Sequence, residues 1–162
     1  MSGIEEWRRG LETDASAIRD LTRAAYAKWV PVIGREPKPM TADYGEAVRK
    51  HRFDLLYVEG KLAALIETIP HVDHLLIENV AVSPPFQRRG LGRKLMVHAE
   101  KIAASLGFRE TRLYTNKLFA ENVRLYAKLG YRLDREEEFR GGIVVHMSKP
   151  VALRPGHYAD SG

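Results

Sequence analysis

Apolar residues recur along this chain with two different periods, and the changes of period mark its elements. Ile18, Leu21, Ala25 and Trp29 share one face of a helix that Thr13 or Asp14 can cap. Leu91, Leu95, Ala99, Ile102 and Leu106 form a longer helical stripe, with Gly107 at a natural stopping point. Two further helices are predicted, one from Thr41 to near His51 and one over residues 120–129 that Gly130 closes. Apolar-rich runs of strand length occupy residues 55–59, 62–69 and 75–82, side chains alternate over 111–115, and further strands are expected at 4–9, 133–139 and 143–148. Gly60-Lys61 and Gly141-Gly142 read as hairpin corners. Pro31, Pro37 and Pro39 interrupt the pattern and predict an irregular loop. The order is strand, two helices, three strands, helix, strand, helix, two strands, which defines a mixed α/β chain without internal repeats.

Composition narrows the class. The 162 residues suffice for one domain with a real core, expected over residues 1–150, with a loose tail from 151 to 162. Hydrophobic content of 44% and charged content of 29% are those of a soluble globular protein. No apolar run is long enough to span a bilayer, and the N-terminus has no secretory pattern. The absence of cysteine excludes disulfides and a thiol nucleophile, and fits a cytoplasmic protein. His71-Val72-Asp73-His74 has no further ligands near it in sequence, so no metal is expected. Net charge is +5, unevenly spread: residues 1–82 hold 11 Lys/Arg against 13 Asp/Glu, and residues 83–162 hold 15 against 8. The second part is built for a polyanion. Nucleic acid fits less well than a small phosphorylated ligand, because basic and acidic residues alternate after residue 133 without a continuous aromatic-basic face.

The candidate anion site is the run Gln87-Arg88-Arg89-Gly90-Leu91-Gly92. A strand ends upstream of it at Ser83-Pro84-Pro85, and a long helix begins within it. Helix N-termini present unbonded N–H groups and partial positive charge, and glycine lets a ligand approach the backbone. Arg88, Arg89, Arg93 and Lys94 add full charges, which suits a pyrophosphate. Leu95 stands where a dinucleotide fingerprint needs its third glycine, and no Gly-Lys-Ser/Thr follows. The run resembles the acyl-CoA-binding motif Gln/Arg-x-x-Gly-x-Gly/Ala of the GNAT acetyltransferase superfamily, with Gln87, Gly90 and Gly92 in its fixed positions. A second segment, Asn122-x-x-x-Tyr126-x-x-x-Gly130-Tyr131, is similar to another motif of that family. The resemblance spans about residues 4–149. It implies a GNAT (acyl-CoA N-acyltransferase) fold: a mostly antiparallel sheet of about seven strands flanked by four helices, splayed between the strands at 75–82 and 111–115. It also implies acetyl-CoA as co-substrate, an amine-bearing acceptor, no membrane or nucleic-acid partner, and often a homodimer.

Acetyl transfer to an amine needs a base for the ammonium, donors for the oxyanion and stabilisation of the departing thiolate. Glu78, the one charged residue in 75–82, is the candidate base, since its neighbours take it out of water; strand alternation alone would also place a solvent-facing carboxylate there. Tyr126 is the candidate acid, one helical turn after Asn122; its ring also fits the stripe of Val123 and Leu129. By resemblance, Asn122 and the backbone of Val80, Ala81 and Val82 bind the pantetheine arm, and Gln87, Arg88, Arg89, Gly90, Leu91, Gly92 and Arg93 bind its phosphates. Tyr26, Trp29, Met40, Tyr44 and, more remotely, Asn116 are candidates for the acceptor pocket, and could equally be core packing. Two other functions remain open on residues alone: an acyl-CoA sensor without turnover, and a nucleic-acid-binding domain.

Overall fold

The structure is a computed structural model that describes residues 3–152. Seven strands form one sheet in the order β1-β2-β3-β4-β5-β7-β6, and the chain divides into two compact units.

The first unit holds the residues up to Thr68 together with Glu78–Leu95. β1 (Glu5–Arg9) pairs antiparallel with β2 (Arg52–Val58), which pairs antiparallel with β3 (Lys61–Pro70). The β2–β3 corner is Glu59-Gly60, both left-handed at φ 50° and 78°, as a two-residue hairpin turn requires. It therefore lies one residue before the Gly60-Lys61 corner expected. α1 (Ala15–Tyr26) lays Ile18, Leu21 and Ala25 on Phe53, Leu55, Leu65 and Ala81. Asp14 does not cap this helix; its carboxylate accepts the Leu11 N–H at 2.8 Å and closes the turn before it. Between α1 and the next long helix lie two single-turn helices, α2 (Val30–Ile33) and α3 (Lys38–Thr41), where the prolines predicted only irregularity. Ala42 is extended, so α4 (Tyr44–Lys50) starts three residues later than expected, with the Asp43 carboxylate accepting the Glu46 N–H. Tyr44 and Ala47 complete the core beneath it.

The second unit holds Ile69–Ile77 and the residues from Met96 onward. The first part of β4 (Leu75–Val82) runs parallel to β5 (Glu110–Asn116), with Leu75, Leu76 and Ile77 opposite Thr111, Arg112 and Leu113. β5 pairs antiparallel with β7 (Gly142–Pro150), and β7 with β6 (Arg132–Phe139). β6 is exposed along its whole length, and its alternating charges suit an edge strand. α5 (Leu91–Ser105) crosses from one unit to the other and ends where Gly107, at φ 82°, lets the Phe108 N–H return to the Ala103 carbonyl. α6 (Ala120–Lys128) ends the same way, with Gly130 at φ 99° and the Tyr131 N–H on the Tyr126 carbonyl. Leu75, Ile102, Ala103 and Ala104 form a core that Val151 joins, so the first residue of the expected loose tail is buried. Residues 153–162 of that tail lie outside the described residues. Among the described residues no helix is long and apolar enough to cross a membrane.

Candidate active site

The end of β4 is tied down before the glycine turn begins. The Ser83 N–H donates to the Ala63 carbonyl at 2.8 Å, and a 3-10 turn covers Pro84–Phe86. Gln87 then folds back, its Nε2 donating to the Val82 carbonyl at 2.9 Å while Lys28 Nζ reaches its Oε1 at 3.5 Å. Gln87 thus holds the turn against the strand. Arg88 and Gly90 are left-handed, at φ 63° and 80°. A Cβ on Gly90 would meet nothing within 4 Å, so it is the backbone conformation that calls for glycine there. The Lys94 N–H makes the first bond of α5, to the Gly90 carbonyl, which leaves the Leu91, Gly92 and Arg93 N–H groups without an acceptor inside the helix. Leu91 and Leu95, both buried, anchor this end.

The charges around the turn divide into two sets. Lys94 is taken by Glu5 of β1. Arg88, Arg89 and Arg93 are exposed and have no carboxylate partner among the described residues, although Arg89 stacks 5.4 Å from the Phe86 ring centroid. Backbone donors, three guanidinium groups and open space beside Gly90 suit the phosphates of coenzyme A.

Upstream in the same strand, Glu78 is one-fifth exposed, and its Oε1 lies 3.9 Å from Lys38 Nζ. A second carboxylate, Glu67 of β3, was not singled out in the sequence. It is nearly fully buried and hydrogen-bonded to His51 Nδ1 at 2.6 Å. Burial pushes the Glu67 carboxyl above the usual carboxylate range; the His51 contact offsets this, the Glu78 charge adds to it, and Lys38 opposes it. The signal that marks Glu78 was present for Glu67 as well, since it is the only charge in residues 62–69. Beside this pair, the Tyr44 hydroxyl donates to the Pro39 carbonyl at 2.6 Å and accepts from Asn79 Nδ2 at 3.3 Å. Burial, and then the Glu67 and Glu78 charges, keep this phenol protonated. Asn79 Nδ2 also reaches Thr22 Oγ1 at 3.4 Å, and its buried Oδ1 has no donor among the described residues.

The other acceptor candidates fall in the same unit. The Tyr26 hydroxyl donates to the Val80 carbonyl at 3.2 Å, while Trp29 and Met40 are buried. Tyr44 belongs to the core cluster as well as to the polar group around Asn79. Ala81 is in that core too, and the carbonyls of Val80 and Val82 on either side of it accept from Tyr26 and Gln87.

The second unit holds the remaining candidates. Tyr126 is buried on α6, its ring 6.2 Å from that of Tyr131, and burial pushes its phenol up to about 12. Asn122 is half-buried one turn earlier. Asn116 accepts the Leu118 N–H on its Oδ1 at 2.9 Å, an Asx turn between β5 and α6. His71 and His74 stack on each other, His74 contacts Asp73, and the described residues contain no group of side chains able to hold a metal.

The chain belongs to the acetyltransferase (GNAT) family, whose model matches residues 16–131. N-alpha-acetyltransferase 80 of Mus musculus is 38% identical over 71 residues, covering 44% of this chain and 21% of that protein. The [ribosomal protein bS18]-alanine N-acetyltransferase of Escherichia coli strain K12 is 35% identical over 72 residues, covering 44% of this chain and 49% of that protein. The matches thus span about a fifth and about half of those two relatives. The fold is shared more fully: an N-acetyltransferase from Thermoplasma acidophilum, solved in complex with coenzyme A, superposes with a TM-score of 0.75 at 16% identity, covering 88% of this chain and 98% of that one.

Proposed function

We propose that this chain transfers the acetyl group of acetyl-CoA directly to a primary amine, and that the acceptor is the α-amine at a peptide N-terminus. One observation carries the reading of the chemistry: a partly buried carboxylate, Glu78, stands beside a primary ammonium on the strand that leads into the arginine-flanked glycine turn. Family membership supports acetyl-CoA as the donor. The names of the mouse and Escherichia coli relatives, both N-acetyltransferases, support an amino-terminal acceptor.

An ammonium has no lone pair, so Glu78 takes its proton, either directly or through water. The neutral nitrogen then attacks the thioester carbonyl, the C–N bond forms, the C–S bond breaks, and the nitrogen sheds a second proton to solvent as the amide forms. No cysteine exists to carry the acetyl group, which is why transfer is direct. The departing sulfur resembles an ordinary thiolate, with a pKa of roughly 8.5. A Tyr126 phenol near 12 would not surrender its proton fully to such a base. Tyr126 therefore stabilises the thiolate as a hydrogen-bond donor, and solvent completes the protonation. Asn122 binds the pantetheine arm, and Arg88, Arg89, Arg93 and the Leu91–Arg93 N–H groups bind the phosphates.

The test is a thiol-release assay with acetyl-CoA against short peptides that have open or blocked N-termini, alongside diamines and amino sugars. Turnover of the open peptides alone is the expected result. Turnover confined to the small amines would remove the peptide acceptor and keep the transferase. No release with any amine, from protein that binds acetyl-CoA in a calorimeter, would leave a sensor in place of an enzyme.

A further inference from the structure

The connection between α1 and α4 brings one of the chain's own primary amines to the proposed base. Lys38 opens α3 between Pro37 and Pro39, and its Nζ lies 3.9 Å from Glu78 Oε1. Its backbone is held firmly. The Pro39 carbonyl accepts from Tyr44 Oη at 2.6 Å, the Met40 carbonyl from Arg23 Nη1 at 2.7 Å, and the Lys38 carbonyl from Thr41 Oγ1 at 3.2 Å. The flanking prolines fix two further φ angles. The side chain itself is 65% exposed, so a reagent in solution can reach the amine while these bonds hold its root. Lys38 also draws the Glu67 carboxyl downward, which puts its charge in the field of both carboxylates. A nucleophile rooted next to its base gains the large rate advantage of an intramolecular reaction.

We propose that Lys38 is a self-acetylation site, an ε-amine that accepts the acetyl group of acetyl-CoA within its own chain. This rests on the acetyl-transfer reading given above. The Lys38 ammonium gives one proton to Glu78, and its lone pair attacks the thioester carbonyl. The C–N bond forms, the C–S bond breaks, and the sulfur leaves as a thiolate. The nitrogen loses a second proton as the amide forms. One of the two protons ends on the sulfur and the other in solvent through Glu78, so Lys38-NH3+ and acetyl-CoA become acetyl-Lys38, CoA-SH and H+.

Lys50 is the internal control. Its side chain is 69% exposed and it too pairs with a carboxylate, Glu46 at 3.3 Å, so uncatalysed acetylation has no reason to prefer Lys38 over it. The full chain is incubated with acetyl-CoA and mapped by peptide mass spectrometry, with peptide-amine turnover followed in parallel. Lys38 should approach complete acetylation while Lys50 lags, with a first-order rate constant unchanged on roughly tenfold dilution. Glu78→Gln should slow the Lys38 reaction ~100-fold and leave Lys50 alone. Equal rates at the two lysines, or a Lys38 rate that falls in proportion to dilution, would overturn the proposal. These two readings need no variant, so they decide even where Glu78→Gln folds poorly. Amine turnover without Lys38 modification sinks this inference alone; absence of both sinks the transferase reading with it.

Discussion

Glu67 and Glu78 are each the only carboxylate in an apolar strand, yet their surroundings differ. Glu78 keeps a fifth of its surface in water, beside Lys38. That exposure suits a base that must exchange protons with a substrate and then with solvent. Glu78→Gln should lower kcat for the amine by about 10²-fold or more at neutral pH, since general-base catalysis contributes roughly 10²–10⁴-fold. The loss should shrink as pH rises, because the amine then sheds its own proton, and a flat ratio of wild type to variant across pH would remove Glu78 as the base. Tyr126→Phe should cost less, on the order of tenfold in kcat, because a thiolate leaves readily without full protonation. Glu67 is buried, and its burial has a stability consequence of definite sign. Below the ordinary carboxylate range it is neutral whether folded or unfolded and costs nothing. As pH rises past its unfolded value the unfolded chain gains a hydrated charge that the fold resists, and the penalty is complete only above the raised folded value. The charges on His51, Lys38 and Glu78 modulate this window, but burial is the largest cause. Urea unfolding of wild type and Glu67→Gln from about pH 4 upward should therefore show the difference moving in the variant's favour. A constant difference would contradict the burial argument.

At the scale of elements, the short pieces between α1 and β2 decide where Lys38 and Tyr44 stand. α4 begins at Tyr44 because α3 ends at Thr41, Ala42 is extended and Asp43 caps the new helix. Asp43→Ala should destabilise the fold by about 1 kcal/mol, or roughly 2–4 °C in Tm for a chain of this size. It should also raise the KM of the amine more than that of acetyl-CoA, since α4 carries Tyr44 into the polar group while the glycine turn is held by Gln87 and Lys28. The turn has its own test. Gly90→Ala puts a side chain at φ 80°, at a cost of roughly 1–2 kcal/mol that the free turn relieves by changing shape and the ligand-bound turn must bear. Calorimetry should then show acetyl-CoA binding weakened about five- to thirtyfold. Sequence patterning located all seven strands and the four longer helices, because most of them bury a periodic face; the exposed strands β1 and β6 were placed by their position in the order and by the glycines before β7. It misplaced the start of α4 and both hairpin corners, the second being Arg140-Gly141 at φ 50° and 77° in place of Gly141-Gly142; there the outcome depends on one extended residue or one positive φ. The glycine turn was legible for a related reason, being contiguous. The group formed by Thr22, Tyr44, His51, Glu67 and Asn79 was not, because it assembles from four elements and their boundary residues up to 57 positions apart. Nothing in the local sequence of any member announces the others.

Over the whole molecule the charge is less uniform than its sum. Several of the 15 basic residues in 83–162 are matched in place by acids of the same stretch: Lys117 meets Glu136, Arg132 meets Asp134, Arg112 meets Glu110, and Lys149 meets Glu100, which leaves the excess of +7 on the others. Pairs of this kind contribute little at a distance, since each cation has its anion beside it. Arg88, Arg89 and Arg93 lie outside these pairs, in and just after a turn that opens α5. An anion approaching that turn therefore meets positive charge from guanidinium groups and from a helix start together. Coenzyme A carries a pyrophosphate and a ribose phosphate, and its binding should depend on salt accordingly. The screening length falls from about 10 Å at 0.1 M to about 3 Å at 1 M, so exposed guanidinium–phosphate contacts weaken while apolar contacts of the pantetheine arm do not. Acetyl-CoA affinity measured by calorimetry should drop on the order of tenfold between ~0.05 M and ~0.5 M salt, and the 3′-dephospho analogue should show a shallower slope. Replacing Arg88 and Arg89 together by Gln should flatten the slope further while leaving unfolding by urea nearly unchanged, because both side chains are exposed. A slope that survives this double substitution would move the phosphate site away from the glycine turn, and with it the geometry on which the proposed chemistry depends.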